Sequence, residues 1–114
     1  MKDISEQQPT SGNGFIYILS NSSMPNIFKI GLTTNEVRER ISALSGNTAV
    51  PTKFNVEKLY EIPVESLRIV EAAAHEILSL KGYHHGKEFF KCELTVCTAA
   101  VEDAILKAAQ IIIS

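Results

Sequence analysis

The stretch Gly14-Phe15-Ile16-Tyr17-Ile18-Leu19, followed after a polar interval by Phe28-Lys29-Ile30-Gly31-Leu32-Thr33, decides how this chain folds. Both runs are short and apolar, and the residues between them are polar. Read with a period of two, Phe15, Tyr17 and Leu19 share one face of a first strand, and Ile27, Lys29 and Gly31 share one face of a second. Folding the two into a hairpin across Asn21 to Asn26 brings Tyr17 and Lys29 onto one surface. The glycine beside them leaves room for a ligand, so this surface is a candidate site.

Working outward, Thr33 and Glu36 form a capping box that predicts a helix to about Leu44, ended by Gly46 and followed by a loop at Pro51. Phe54 to Ile62 alternates imperfectly between apolar and polar residues and reads as a third strand. Pro63 then opens a second helix from about Val64 to Leu80, stopped by Gly82. Glu88 to Cys92 is short enough for an edge strand, and residues 95–112 form a closing helix rich in Ala and Ile. The expected fold class is α+β: a small three-stranded antiparallel sheet flanked by helices, with a short extra edge strand as an option. No internal repeat or low-complexity segment interrupts it.

With 114 residues the chain supports one hydrophobic core but not two. We therefore expect a single domain over residues 14–114. Met1 to Asn13, rich in Gln, Ser, Pro and Gly and lacking the apolar centre of a signal peptide, reads as a flexible tail of a cytoplasmic protein. Hydrophobic residues are 45% and charged residues 21% of the chain, and no apolar run approaches the ~20 residues of a membrane span. Eleven basic against thirteen acidic residues give a net charge of -2. That balance opposes tight, sequence-independent binding to nucleic acid by this chain alone, because phosphate neutralisation dominates such affinity. A local patch remains open: Lys29, Arg38, Arg40 and Lys53 lie in the first half, and Glu93, Glu102 and Asp103 near the end.

Helical projections add further candidates. Between Val64 and Leu80, Leu67, Val70, Ala74, Ile77 and Leu78 form an apolar stripe, with Glu71 at its edge and His75 beside it. In the preceding helix Val37, Ile41 and Leu44 make the stripe, bordered by Arg40 on one side and Arg38 on the other. Border residues of this kind also serve as structural ion pairs, and an Arg40–Glu71 pair is the plain alternative. Cys92 and Cys97 are five apart, near His84 and His85. Their spacing matches none of the usual zinc arrangements, which leaves buried thiols and an exposed loop histidine pair, with a disulfide between the cysteines as a further option.

Taken together, Phe15-Ile16-Tyr17, Lys29-Ile30-Gly31, Arg40 with Leu44, Glu71 with His75, and the closing Glu88-Phe89-Phe90 resemble the ordered motifs of the GIY-YIG endonuclease superfamily over residues 14 to about 93. With lysine in place of the second tyrosine, the chain most resembles the phage-type (T-five Orf172-like), DNA-binding branch. The resemblance implies a DNA endonuclease that hydrolyses phosphodiester bonds with one Mg²⁺ or Mn²⁺. It assigns Tyr17, Lys29, Arg40, Glu71 and His75 to catalysis and Glu71 to the metal. Tyr17 would orient or deprotonate the attacking water, Arg40 would bind the phosphate, and Lys29 would favour the Tyr17 phenolate or grip phosphate. His75 would orient Glu71, relay a proton or touch the metal, or else simply pack in the helix interface. Gly31, Thr33, Arg38 and Lys53 are the candidate substrate contacts. The Glu88-Phe89-Phe90 motif is expected to plug the core with its aromatic pair and to set Glu88 on a basic residue near the site. Two other classes compete. One is a non-catalytic DNA-binding module on the same fold. The other is an interaction protein whose closing helix, through Ile105, Leu106 and residues 111–113, packs on a second subunit as a homodimer or within a larger complex.

Overall fold

The computed structural model describes residues 12–34, 54–86 and 88–113. Its first element is the expected hairpin, β1 (Asn13–Asn21) and β2 (Ile27–Thr33), paired antiparallel with Tyr17 opposite Gly31 and Leu19 opposite Lys29. Side-chain chemistry closes the turn. Asn21 Oδ1 accepts the backbone N–H of Ser23 at 2.9 Å and its hydroxyl at 2.6 Å, and Asn26 adopts φ 60°, a left-handed conformation that asparagine tolerates better than most residues.

β3 (Phe54–Pro63) pairs antiparallel with β1, and β4 (Phe89–Lys91) with β2, giving one sheet in the order β3-β1-β2-β4. The sheet thus has four strands rather than three. The fourth is the short edge strand offered as an option, only three residues long. The imperfect alternation in β3 also has a cause. The register with β1 shifts between Ile18, opposite Lys58, and Leu19, opposite Val56, so Glu57 is an extra residue in a β-bulge. The bulge changes the phase of the strand. Phe54, Val56 and Leu59 consequently pack on one side of the sheet, with Tyr17 and Leu19, whereas Tyr60 and Ile62 pack on the other.

Pro63 is followed by a single 3-10 turn, Val64–Ser66, and the regular helix α1 then runs over Leu67–Leu80. The expected helical start at Val64 is therefore tighter than an α-helix. At the other end, Gly82 at φ 82° donates its N–H to Ser79 O and Tyr83 donates to Leu78 O, the two bonds of a Schellman cap. Helix α2 (Leu94–Ile113) closes the fold against α1. Both helices cover one face of the sheet. Ile16, Ile18, Phe28 and Ile30 meet Leu67, Val70, Ala74 and Leu78 of α1 and Cys97, Ala100, Val101, Ala104 and Ala108 of α2. The small residues of α2 let it lie close, and each large side chain buried here contributes about 1.5–3 kcal/mol.

The opposite face carries a second cluster of Tyr17, Leu19 and Phe54, with Phe89 against it. Among the described residues no helix is long and apolar enough to cross a membrane. The helix expected to reach Leu44 lies outside the described residues. Thr33, read as its cap, is the last residue of β2.

Candidate functional site

The hairpin register places Tyr17, Lys29, Gly31 and Thr33 on the face turned away from α1 and α2. The room expected above Gly31 is taken by Tyr17 itself. A Cβ at residue 31 would come within 2.6 Å of Tyr17 Cζ, and closer still to its Oη. Glycine at this position is thus a packing requirement of a phenol that is only 1% exposed. Lys29 sits diagonally from Tyr17, opposite Leu19 on one side and Phe89 on the other.

Lys29 is buried along its stem, and its ammonium ends on a carboxylate. Nζ donates to Glu88 Oε2 at 2.6 Å and lies 5.6 Å from the centre of the Phe89 ring. Phe89 in turn stacks on Phe54, with centroids 6.4 Å apart. The basic partner expected for Glu88 is therefore Lys29, and the cation foreseen for Tyr17 or phosphate already carries a counter-charge.

β4 begins beside Lys29 and Ile30, and hydrogen bonds from two other elements meet the Ile30 backbone there. Ile30 donates its N–H to Glu88 O at 3.2 Å, and its carbonyl lies 2.9 Å from His75 Nε2. A carbonyl only accepts, so Nε2 carries the proton, and in the neutral ring Nδ1 holds the lone pair. The imidazole also meets the edge of Phe90 at a centroid distance of 5.1 Å. His75 thereby pins α1 to the central strand.

Glu71, one turn before His75, is half-buried. Its carboxyl is held above the usual carboxylate range, first by burial; His75 pulls it back, Glu88 adds to the rise, and Lys29 and Arg68 pull it back further. Glu71, His75, Lys29 and Glu88 therefore share one electrostatic neighbourhood around Ile30, although they come from a helix, a strand and a loop. Arg68 was not among the candidates. Its position three residues before Glu71, on the same helical face, is the signal that could have found it.

Arg38, Arg40 and Lys53 lie outside the described residues, as does any Arg40–Glu71 pair. Thr33 is buried at the end of β2. Cys92 and Cys97 are both free thiols. Among the described residues no three His, Cys, Asp or Glu side chains are grouped to hold a metal ion.

A four-stranded antiparallel sheet backed by two helices, with a carboxylate, an imidazole and a lysine–glutamate pair gathered where the edge strand begins, defines a small α+β domain with a charged site at the sheet edge. The chain belongs to the T5orf172 domain family, a phage-associated domain whose model matches residues 14–105. No curated protein and no solved structure matches it.

Proposed function

We propose that the domain is a DNA-directed nuclease of the GIY-YIG type, hydrolysing phosphodiester bonds with one divalent cation. The observation that carries this reading is the gathering of Glu71 with His75, Lys29 and Glu88 around Ile30, on separate elements of the fold. Membership of a phage-associated family compatible with DNA binding supports it.

The donor chemistry at Glu71 fits a hard cation. Its carboxylate is half-buried, and both burial and the nearby Glu88 oppose its charge, a deficit that a bound cation relieves. One carboxylate suits Mg²⁺ or Mn²⁺, which keep most of their waters when bound. Such an ion supplies neutralisation of the charge that develops on the scissile phosphate and the leaving oxygen.

The chain's own groups do the rest. His75, fixed through Nε2 on the Ile30 carbonyl, holds the helical turn that carries Glu71. Tyr17 would meet the attacking water only once its phenol, packed over Gly31, is uncovered by substrate. Arg40 donates hydrogen bonds to the phosphate oxygens, and these strengthen as charge builds up. Lys29 binds phosphate only when Glu88 yields it, so substrate and Glu88 compete for one ammonium.

The test is cleavage of supercoiled and branched DNA with Mg²⁺ or Mn²⁺ by the wild type beside Glu71→Ala, the two matched for folding by circular dichroism. Metal-dependent nicking that disappears in Glu71→Ala is the expected result. DNA bound by both proteins and cut by neither would replace the nuclease with a non-catalytic binding module.

A further inference from the structure

The segment that leaves β4 and the start of α2 bring two thiols together. Cys92 follows Lys91 directly, and its N–H is held by Asn26 O at 3.0 Å. Cys97 lies near the start of α2, with its N–H on Glu93 O at 3.3 Å. The two sulfurs are 3.4 Å apart and in hydrogen-bond contact. Their surroundings are unequal: Cys97 is fully buried in the helix–sheet core, whereas Cys92 is half-buried at its margin. A metal does not account for the pair, because no third ligand joins them among the described residues.

We propose that Cys92 and Cys97 form a thiol–disulfide site that takes a small-molecule disulfide. The more accessible thiol reacts first and the buried one completes the exchange. Cys92, as thiolate, attacks one sulfur of the small disulfide; a Cys92–sulfur bond forms and one small thiolate leaves. Cys97, its proton lost to solvent, then attacks the Cys92 sulfur. The internal Cys92–Cys97 bond forms and the second small thiolate leaves. The protein loses two protons and two electrons, and the small disulfide is reduced to two thiols.

Closing the bond brings the sulfurs from contact to about 2.0 Å, a displacement on the order of 1 Å that side-chain rotation can supply. The product ties the chain just after β4 to α2. The enclosed loop is short, so the entropic gain is modest and the rise in melting temperature small. Burial pushes the Cys97 thiol well above the usual thiol range, and Cys92 adds to this only while it is itself a free thiol, so burial alone acts in the second step. The second step is therefore the slow one and accelerates as pH rises.

The experiment incubates the full chain with oxidised glutathione and follows intact mass and disulfide peptides with time. The wild type is expected to pass through a transient glutathione adduct to a product lighter by two hydrogens. That product contains a peptide linking residues 92 and 97 and returns to the starting mass with dithiothreitol. Cys97→Ala, a substitution in keeping with the neighbouring Ala100 and Ala104, should accumulate the adduct on Cys92. Cys92→Ser should stay unmodified while folded. A lasting adduct on the wild type, chains linked to one another, or no reaction of the folded wild type would each overturn the proposal. The wild-type result decides the matter even if a variant fails to fold.

Discussion

Glu88 holds Lys29 at 2.6 Å although the two side chains meet water very differently, the lysine being 3% exposed and the glutamate 43%. The consequence is an asymmetry. Glu88→Gln leaves a buried ammonium without its counter-charge, whereas Lys29→Met keeps the packing of the stem and leaves a carboxylate that hydrates readily. We expect Glu88→Gln to cost about 1–3 kcal/mol and Lys29→Met clearly less. Urea denaturation of both variants checks this, and an equal or reversed order would show that the ion pair is not what settles Lys29.

Gly31→Ala drives a methyl group into the Tyr17 ring. Overpacking of this kind costs about 1–3 kcal/mol. Shortening the obstacle in the double variant with Tyr17→Leu should recover part of the loss, so the two changes should cost less together than the sum of each alone. Additive losses in a double-mutant cycle would contradict the contact.

Glu71 makes stability depend on pH in a stated direction. Its folded pKa lies above the unfolded value of about 4.3, so between the two the native state binds more protons than the unfolded chain. Stability therefore falls as pH rises through that window. The penalty is fully present above the folded value and absent below the unfolded one. Because much of the carboxylate meets solvent, the effect is small. Glu71→Gln should melt slightly higher than the wild type at neutral pH, with the gap closing below about pH 4. A gap that widens in acid would reverse the assignment.

His75→Leu orphans the Ile30 carbonyl, and leaving a buried acceptor unsatisfied costs about 1–3 kcal/mol. His75→Gln retains an N–H donor and should regain part of that loss. If both variants melt alike, the Nε2 contact is not what holds α1 on the central strand.

Much of this site was legible in the order of residues. Period-two reading set Tyr17, Lys29 and Gly31 on one face, and helical spacing put Glu71 and His75 at the border of the α1 stripe. What escaped did so for physical reasons. The Glu57 bulge switches the phase of β3, so strict alternation could not assign both halves of that strand. The acceptor for His75 is a backbone carbonyl, which every residue possesses and which leaves no mark in a sequence. The space above Gly31 looked open because its occupant comes from the neighbouring strand, and which residue stands opposite is fixed by register rather than by composition.

The bulge in β3 also bears on how molecules of this domain meet. Among the described residues β3 is an outer strand of the sheet, ten residues long, and a long edge strand is a template on which another chain can add. Its kink at Glu57, the exposed charges of Lys58 and Glu61, and the closing Pro63 make the edge uneven, charged and short of a donor. The irregularity that blurred the strand in the sequence is thus a guard against edge-to-edge aggregation. Straightening it by deleting Glu57 would remove that protection.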